Sequence, residues 1–192
     1  MLAAAARIAI AVNVPVTVDA EAGYGMKPSD LVAGLKAMGA AGCNLEDTNH
    51  ATGELRDAVE QADWLRAVRA AASDQRYGLV INARIDVFLS AVDSGKRQAE
   101  LVSEALRRAH AYAEAGADCV FPIALWERDA LESFVAEAPR PVNVLQIPPA
   151  PSYVELGELG VARISYGGLL QHDAMDQFGR LLKSLPSAPT DS

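Results

Sequence analysis

The chain has 192 residues, of which 51% are apolar, and it carries a formal net charge of −8. This length allows one domain with a sizeable hydrophobic core. The acidic balance argues against nucleic acids and anionic membranes as partners, because both are bound through clustered Lys and Arg side chains. No stretch approaches the run of about 18 apolar residues that a transmembrane helix needs, so no membrane span is predicted.

The cysteines and the first residues of the chain predict a cytoplasmic location. Cys43 and Cys119 lie far apart, each inside an apolar run, which predicts buried free thiols and not a disulfide framework. The opening residues, MLAAAARIAIAVNVP, lack the basic start of a signal peptide, and Arg7 interrupts their apolar run. We therefore predict an alanine-rich helix there and a protein of the reducing cytosol.

A strand that ends in acidic residues is predicted within residues 15–25, PVTVDAEAGYG. Apolar and polar residues alternate up to Asp19, which is the period of a β-strand. If the extended backbone continues to Glu21, the carboxylates of Asp19 and Glu21 leave the strand on the same side. The glycines that follow, Gly23 and Gly25, predict a turn or a close backbone approach.

Strands and helices alternate along the rest of the chain. The predicted strands are GCNLED, LVINARIDVF, ADCVFP, PVNVLQI and ARISY, and the predicted helices begin near Pro28, Asp57, Arg97, Trp126, Ser152 and after Gly167–Gly168. The helix from Arg97 is expected to run to Ala115, and Ser152 with Glu155 forms a capping box. This alternation predicts one α/β domain over residues 1–192, with a parallel sheet and a disordered tail at 184–192. An open doubly wound sheet and part of a TIM barrel both fit it.

Charged residues gather where three successive predicted strands end. These pairs are Asp19 with Glu21, Glu46 with Asp47, and Arg84 with Asp86. Neighbouring parallel strands lie side by side, so their ends should converge, and a cluster of carboxylates repels itself unless a cation is bound. All-oxygen ligands favour Mg²⁺ or Mn²⁺. A structural ion-pair network is the alternative, in which Arg84 pairs with the acids and does not bind a substrate anion.

Five segments together resemble the isocitrate lyase/phosphoenolpyruvate mutase superfamily. They are VPVTVDAEAGYG, GAAGCNLED, INARIDVFL, YAEAGADCVFP and PVNVLQIPPAPSYVELGELGVARISYGGLL. The resemblance implies a (β/α)8 barrel and homo-oligomers that exchange a C-terminal helix. It also implies Mg²⁺ and a small anionic substrate, a 2-oxo acid or phosphonate, whose C–C or P–C bond is cleaved or formed by a lyase or mutase through an enolate-like species.

The resemblance also implies roles for individual residues. Asp19 matches the direct Mg²⁺ ligand, and Glu21 and Glu46 match acids that hold metal-bound waters. Arg84 matches the arginine that contacts the carboxylate or phosphonate end of the substrate. The glycine-rich loop supplies the remaining predicted substrate contacts, Gly23, Tyr24 and Gly25. Asp47 and Asp86 are expected as their neighbours.

The chain departs from the family pattern in the loop that follows Asp47. The family's lyases carry a Lys-Lys-Cys-Gly lid there, whose cysteine serves in acid–base chemistry, whereas this chain has TNHATGELR. The segment 48–56 still has the composition of a lid that excludes water. His50 is a candidate proton donor in it, and an exposed loop histidine is the simpler interpretation. Trp64 is interpreted as a packing residue of the next helix.

The first predicted strand matches the third strand of the family's barrel. Strands three to eight, about six of the eight βα units, are therefore expected, as a truncated or a reduced barrel stabilised by self-association. Two alternatives to an enzyme of this family stay open. One is an inactive barrel remnant that serves as an oligomerisation or binding module, and the other is an unrelated barrel that binds a phosphate at Gly167–Gly168.

Overall fold

The computed structural model describes residues 2–185, which form a parallel sheet covered by helices. The strands are β1 Thr17–Asp19, β2 Gly42–Glu46, β3 Val80–Ile85, β4 Cys119–Pro122, β5 Asn143–Leu145 and β6 Arg163–Ser165. The helices are α1 Leu2–Ala11, α2 Pro28–Ala37, α3 Ala58–Asp74, α4 Leu89–Ser94, α5 Val102–Glu114, α6 Arg128–Glu137, α7 Tyr153–Glu158 and α8 Leu169–Ser184. A short 3-10 helix, Gln98–Leu101, precedes α5. Over this range, no helix is both long and apolar enough to cross a membrane.

The strands follow one another in chain order, and all pairs are parallel. Strands β1 to β4 form one ladder and β5 pairs with β6, while a bridge between Val120 and Val142 joins the two parts. A doubly wound sheet would reverse its strand order at a switch point, and this sheet does not. Arg163 Nη2 lies 3.1 Å from Thr17 Oγ1, so the first and last strands approach each other. The sheet is therefore rolled as a barrel is.

The two faces of the rolled sheet differ in polarity because side chains alternate along each strand. The face that packs on the helices is apolar and holds Val18, Cys43, Leu45, Ile81, Ala83, Ile85, Val120 and Val144. The opposite face carries amides: Asn82 donates to Asn44 and Ser165 donates to Asn143. The hydrophobic core thus lies between the sheet and the helices, and the inner face of the sheet carries polar side chains. Both cysteines are free and buried.

Arg69 of α3 fixes the ends of the central strands that lie opposite the candidate site. Its guanidinium donates to the carbonyl oxygens of Gly116 and Leu79 and pairs with Asp118. Asp118 in turn accepts a hydrogen bond from the Ile81 backbone N–H. One arginine therefore links α3 to the N-terminal ends of β3 and β4.

Two predicted elements differ in the structure. Strand β1 ends at Asp19, and Glu21 has a φ of +49°, so Asp19 and Glu21 do not leave one extended strand together. The helix predicted from Arg97 to Ala115 is split into the 3-10 helix and α5, and α4 before it was not predicted. The Ser152–Glu155 capping box is confirmed, with both of its hydrogen bonds present.

None of the residues of helix α8 is buried. Its exposed apolar side chains are Leu170, Met175, Phe178, Leu181 and Leu182. Gly167 and Gly168 form the turn that precedes it, with Gly168 at the N-cap. Most of the predicted tail, residues 186–192, lies outside the described residues.

Candidate metal and substrate site

The loop after β1 folds back so that its acids face the end of β2. The Glu21 N–H donates to Asp19 Oδ1 over 3.2 Å, and the Tyr24 hydroxyl donates to the Asp19 carbonyl oxygen over 2.6 Å. The Glu46 N–H donates to the Glu21 carbonyl oxygen over 2.9 Å, which continues the pairing of β1 with β2. Asp19 therefore stands at the strand end inside a tight turn formed by Glu21 to Tyr24.

Gly23 permits that turn for two reasons. Its φ of +86° is left-handed, and a Cβ built on it would lie 2.5 Å from Cζ2 of Trp64. A side chain at this position would collide with the indole ring. Trp64 packs against the hydrophobic core from its helix, as predicted, and its ring lies against Gly23 of the acidic loop.

Glu46, at the end of β2, is the buried centre of a cluster of charges. Its carboxylate pairs with Arg84 Nη1 and with the imidazole of His50, and the Glu46 residue is only 4% exposed. The other ring nitrogen of His50 lies 3.4 Å from Glu21 Oε2. His50 is therefore half-exposed, but its ring bridges Glu21 and Glu46, two of the acids predicted to hold the metal. A free loop histidine would make no such contacts. The structure brings Glu21, Glu46, His50 and Arg84 together.

Asp86 holds the other edge of Arg84. Arg84 Nε lies 2.7 Å from Asp86 Oδ1, and the Thr48 hydroxyl donates to Asp86 Oδ2. Burial raises the pKa of Asp86 to about 6, although Arg84 and the Thr48 hydrogen bond act in the opposite direction. Asp86 therefore orients the arginine and fastens the start of the 48–56 segment.

Asp47 faces away from this cluster, toward α5. The Asp47 side chain has no exposed surface, and it accepts hydrogen bonds from Arg108 Nη1, the Tyr112 hydroxyl and the Asp86 N–H at 2.9, 2.7 and 2.8 Å. Burial is the largest cause that raises the pKa of Tyr112. Asp47 was expected beside the acids predicted to hold the metal, and in the structure it joins β2 to α5 through Arg108 and Tyr112 instead. Nothing in the sequence links it to α5, since its partners lie 61 and 65 residues further along the chain.

The segment 48–56 is a small folded hairpin. Thr48 and Leu55 form an antiparallel bridge, and the Asn49 N–H donates to the Glu54 carbonyl oxygen over 2.8 Å. At its end, the Arg56 N–H donates to the Asp47 carbonyl oxygen. The predicted lid therefore has internal order and two fixed ends.

A cleft of about 260 Å³ separates this hairpin from the acidic loop. Its lining residues are Glu21, Ala22, Tyr24, Gly25, Asn49, His50, Ala51 and Arg56. Tyr24 and Gly25, predicted as substrate contacts, thus border a cavity, whereas Gly23 is buried against Trp64. Arg56 also lines this cleft and was not predicted from the sequence, because its position beneath the hairpin depends on contacts with distant residues.

The donor set at the strand ends fits a hard divalent cation. It consists of carboxylate oxygens, which Mg²⁺ prefers to nitrogen or sulfur ligands, and Glu21 of this set lines the cleft. Within residues 2–185, no three acidic, histidine or cysteine side chains form a ready-made metal cage. Mg²⁺ does not require one, because it keeps several waters and takes one or two protein carboxylates. Asp19 would supply the direct carboxylate, and Glu21 and Glu46 would accept hydrogen bonds from its waters.

Comparisons with known proteins agree with this architecture. A model of the phosphoenolpyruvate phosphomutase family matches residues 1–185. The crystal structure of a candidate phosphonomutase from Burkholderia cenocepacia is 41% identical, with a TM-score of 0.89 over 95% of this chain and 74% of that one. A structure of phosphonopyruvate hydrolase with oxalate and Mg²⁺ is 26% identical, with a TM-score of 0.76 over 97% of this chain and 70% of that one.

One curated relative, the oxaloacetate decarboxylase of Rhodopseudomonas palustris, is 33% identical over 150 residues, which are 75% of this chain and 48% of the relative. The chain spans about half the length of the curated relatives that it matches. The family model and the structural likeness cover almost all of the described residues. The chain therefore belongs to the phosphoenolpyruvate mutase/isocitrate lyase superfamily and shares its α/β-barrel fold.

Proposed function

We propose that the protein is an Mg²⁺-dependent lyase or mutase that acts on a small 2-oxo acid or phosphonate. The observation that carries this proposal is the convergence of Glu21, Glu46, His50 and Arg84 beside the end of β1. Two relatives support it: one is named for oxaloacetate, and another was solved with oxalate and Mg²⁺.

Each residue of the cluster has a role in this proposal. Asp19, Glu21 and Glu46 hold the cation, which would polarise the oxo group of the substrate and stabilise an enolate. Arg84 presents a planar guanidinium, suited to a carboxylate or phosphonate, and Asp86 fixes its orientation. Tyr24 and Gly25 line the cleft that the substrate would enter.

His50 is the proposed proton donor, because it is the titratable side chain of the hairpin that reaches the acids. The hairpin has no cysteine, so the route used by lyases with a lid cysteine is not part of this proposal. Closure of the hairpin over the cleft would exclude water from the reacting atoms.

Oxalate, which mimics the enolate of pyruvate, tests the proposal by thermal unfolding. Oxalate with Mg²⁺ should raise the melting temperature of the protein by several degrees, because a ligand that binds only the folded state stabilises it by mass action. Oxalate alone and Mg²⁺ alone should each give a smaller shift. A melting temperature unchanged by the two together would contradict the proposal.

Self-association through α8 is part of the proposed state of the enzyme. The helix carries five apolar side chains that are at least half exposed, and a second copy of the chain would cover them. Light scattering after size-exclusion chromatography should give the mass of a dimer or a larger oligomer. Phe178→Glu should shift the mass toward the monomer and Gln177→Glu should not, whereas a monomeric wild type would contradict the proposal.

A further inference from the structure

Two buried amides on the inner face of the sheet each carry a polar atom that has no hydrogen-bond partner among the described residues. These atoms are Asn82 Oδ1 on β3 and Asn143 Nδ2 on β5. Asn82 is 1% exposed and Asn143 is fully buried, so bulk solvent does not reach either side chain. A buried polar group of this kind destabilises the fold unless an ordered water or another ligand completes its hydrogen bonds.

The other polar atom of each amide is already bound. Asn82 Nδ2 donates to Asn44 Oδ1 on β2 over 2.8 Å, and the Ser165 hydroxyl on β6 donates to Asn143 Oδ1 over 2.9 Å. Strand β4 lies between β3 and β5, so both of these partners are on the strands that face away from β4. The oxygen and the nitrogen of an amide point away from each other. The free atoms of Asn82 and Asn143 therefore lie on the β4 side.

The register of β4 brings the two free atoms to one level of the barrel. Asn82 is the register partner of Cys119, and a bridge joins the next residue, Val120, to Val142. Asn143 is thus displaced by two residues from Asn82 along β4. A displacement of about one residue per strand is the stagger of a barrel, in which side chains from alternate strands share one layer.

The spacing between the two amides fits one water. The backbones of β3 and β5 are two strand spacings apart, about 10 Å, and both side chains shorten that gap. Two hydrogen bonds through a single water span about 6 Å. Water also matches the pair chemically, because it accepts from Asn143 Nδ2 and donates to Asn82 Oδ1. A cation would be repelled by the hydrogens on Nδ2, and an anion by Oδ1.

We infer that the interior of the barrel binds one structural water in front of β4, between Asn143 Nδ2 and Asn82 Oδ1. The water completes a hydrogen-bond chain in which every donor points the same way, from Ser165 through Asn143 and Asn82 to Asn44. Hydrogen bonds aligned in this way polarise one another. The chain thereby links the ladder of β5 and β6 to the ladder of β1 to β4. This inference is independent of the proposed metal site.

X-ray diffraction from crystals of the wild-type protein, at a resolution that shows ordered waters, tests the inference directly. We expect one electron-density peak within about 3.2 Å of both Asn143 Nδ2 and Asn82 Oδ1, with the distances of a water. A direct hydrogen bond between the two amides would overturn the inference. So would a dry gap between them, or an ion in the place of the water.

Urea denaturation of leucine variants tests the same bridge in solution. Leucine has nearly the shape of asparagine, and each single substitution, Asn82→Leu or Asn143→Leu, should raise the unfolding constant because the remaining amide loses its water-mediated partner. The double variant removes both of the bridged atoms. Its effect should therefore fall short of the product of the single effects by about threefold or more.

The matched control combines Asn82→Leu with Asn13→Leu, since Asn13 is exposed and lies in the segment before β1. The effects of these two substitutions should multiply, because the two side chains share no partner. If the effects of Asn82→Leu and Asn143→Leu multiply in the same way, the two amides are not coupled through a water and the inference is overturned.

Discussion

Replacing Arg108 with methionine is expected to lower the free energy of unfolding by about 3–5 kcal/mol, the usual effect of removing one partner from a buried ion pair. The Asp47 side chain is fully buried, and Arg108 Nη1 lies 2.9 Å from its Oδ2. Without the guanidinium, the Asp47 carboxylate would keep the hydrogen bonds from Tyr112 and Asp86 but lose its neutralising charge. Methionine preserves helix propensity and much of the volume, so the loss should come from the charge of the guanidinium and from its hydrogen bonds, which also reach Glu104 and the Arg56 carbonyl oxygen.

The neighbouring residue on α5 supplies a matched control. Arg107 pairs with Glu104, and about half of its side chain is exposed. Exposed pairs of this kind contribute about 0–1 kcal/mol, so Arg107→Met should change stability by no more than that. Urea denaturation at neutral pH, followed by circular dichroism, measures both variants. Equal, small losses in the two variants would show that the Asp47–Arg108 pair is not a main support of the fold.

Replacing Asp19 with asparagine is expected to weaken Mg²⁺-dependent binding of oxalate by roughly 100-fold or more. Mutating a residue that only hydrogen-bonds to a metal ligand costs about 10- to 100-fold in metal affinity, and the loss of a direct ligand should cost at least as much. Asparagine has the shape of aspartate and its Oδ1 can still accept the Glu21 N–H, so the turn after β1 should persist. What is lost is the negative charge that a hard cation requires. Isothermal titration of oxalate in excess Mg²⁺ measures the effect.

The control for this variant is Asp30→Asn on the first turn of α2, which removes the same charge from an exposed side chain that forms no ion pair with the described residues. It should bind oxalate as the wild type does. Both variants should unfold at nearly the wild-type temperature without ligand. If Asp19→Asn binds oxalate with wild-type affinity, Asp19 is not the direct ligand of the cation.

The sheet was predictable from sequence because period-two apolar strands alternated with helices that end at glycine. The same logic brought the ends of β2 and β3 together, and in the structure Glu46 and Arg84 form an ion pair there. Strand order was not predictable from periodicity, which fitted both a doubly wound sheet and a barrel. The sequential ladder and the approach of Arg163 to Thr17 distinguish the two architectures.

The details of the site depended on contacts that leave no local signal. Glu21 was expected on the same side of a strand as Asp19, but the turn that Gly23 permits against Trp64 rotates it toward His50. The Asp47 network joins residues more than 60 positions apart. Arg56 lines the cleft and is contacted there by the Asp47 carbonyl oxygen, by Arg108 and by the Trp64 ring. Such contacts follow from tertiary packing, and a local sequence pattern does not predict them.

The most direct test of the central claim, that the acids at the strand ends hold a divalent cation, is X-ray diffraction from crystals grown with Mn²⁺ and oxalate. Mn²⁺ takes the same oxygen ligands as Mg²⁺, and its anomalous scattering locates it without assumptions about the ligands. We predict an anomalous peak in contact with the Asp19 carboxylate, beside Glu21 and Glu46, with oxalate reaching toward Arg84. An anomalous map without a peak at these residues, or with Mn²⁺ bound only elsewhere, would contradict the account.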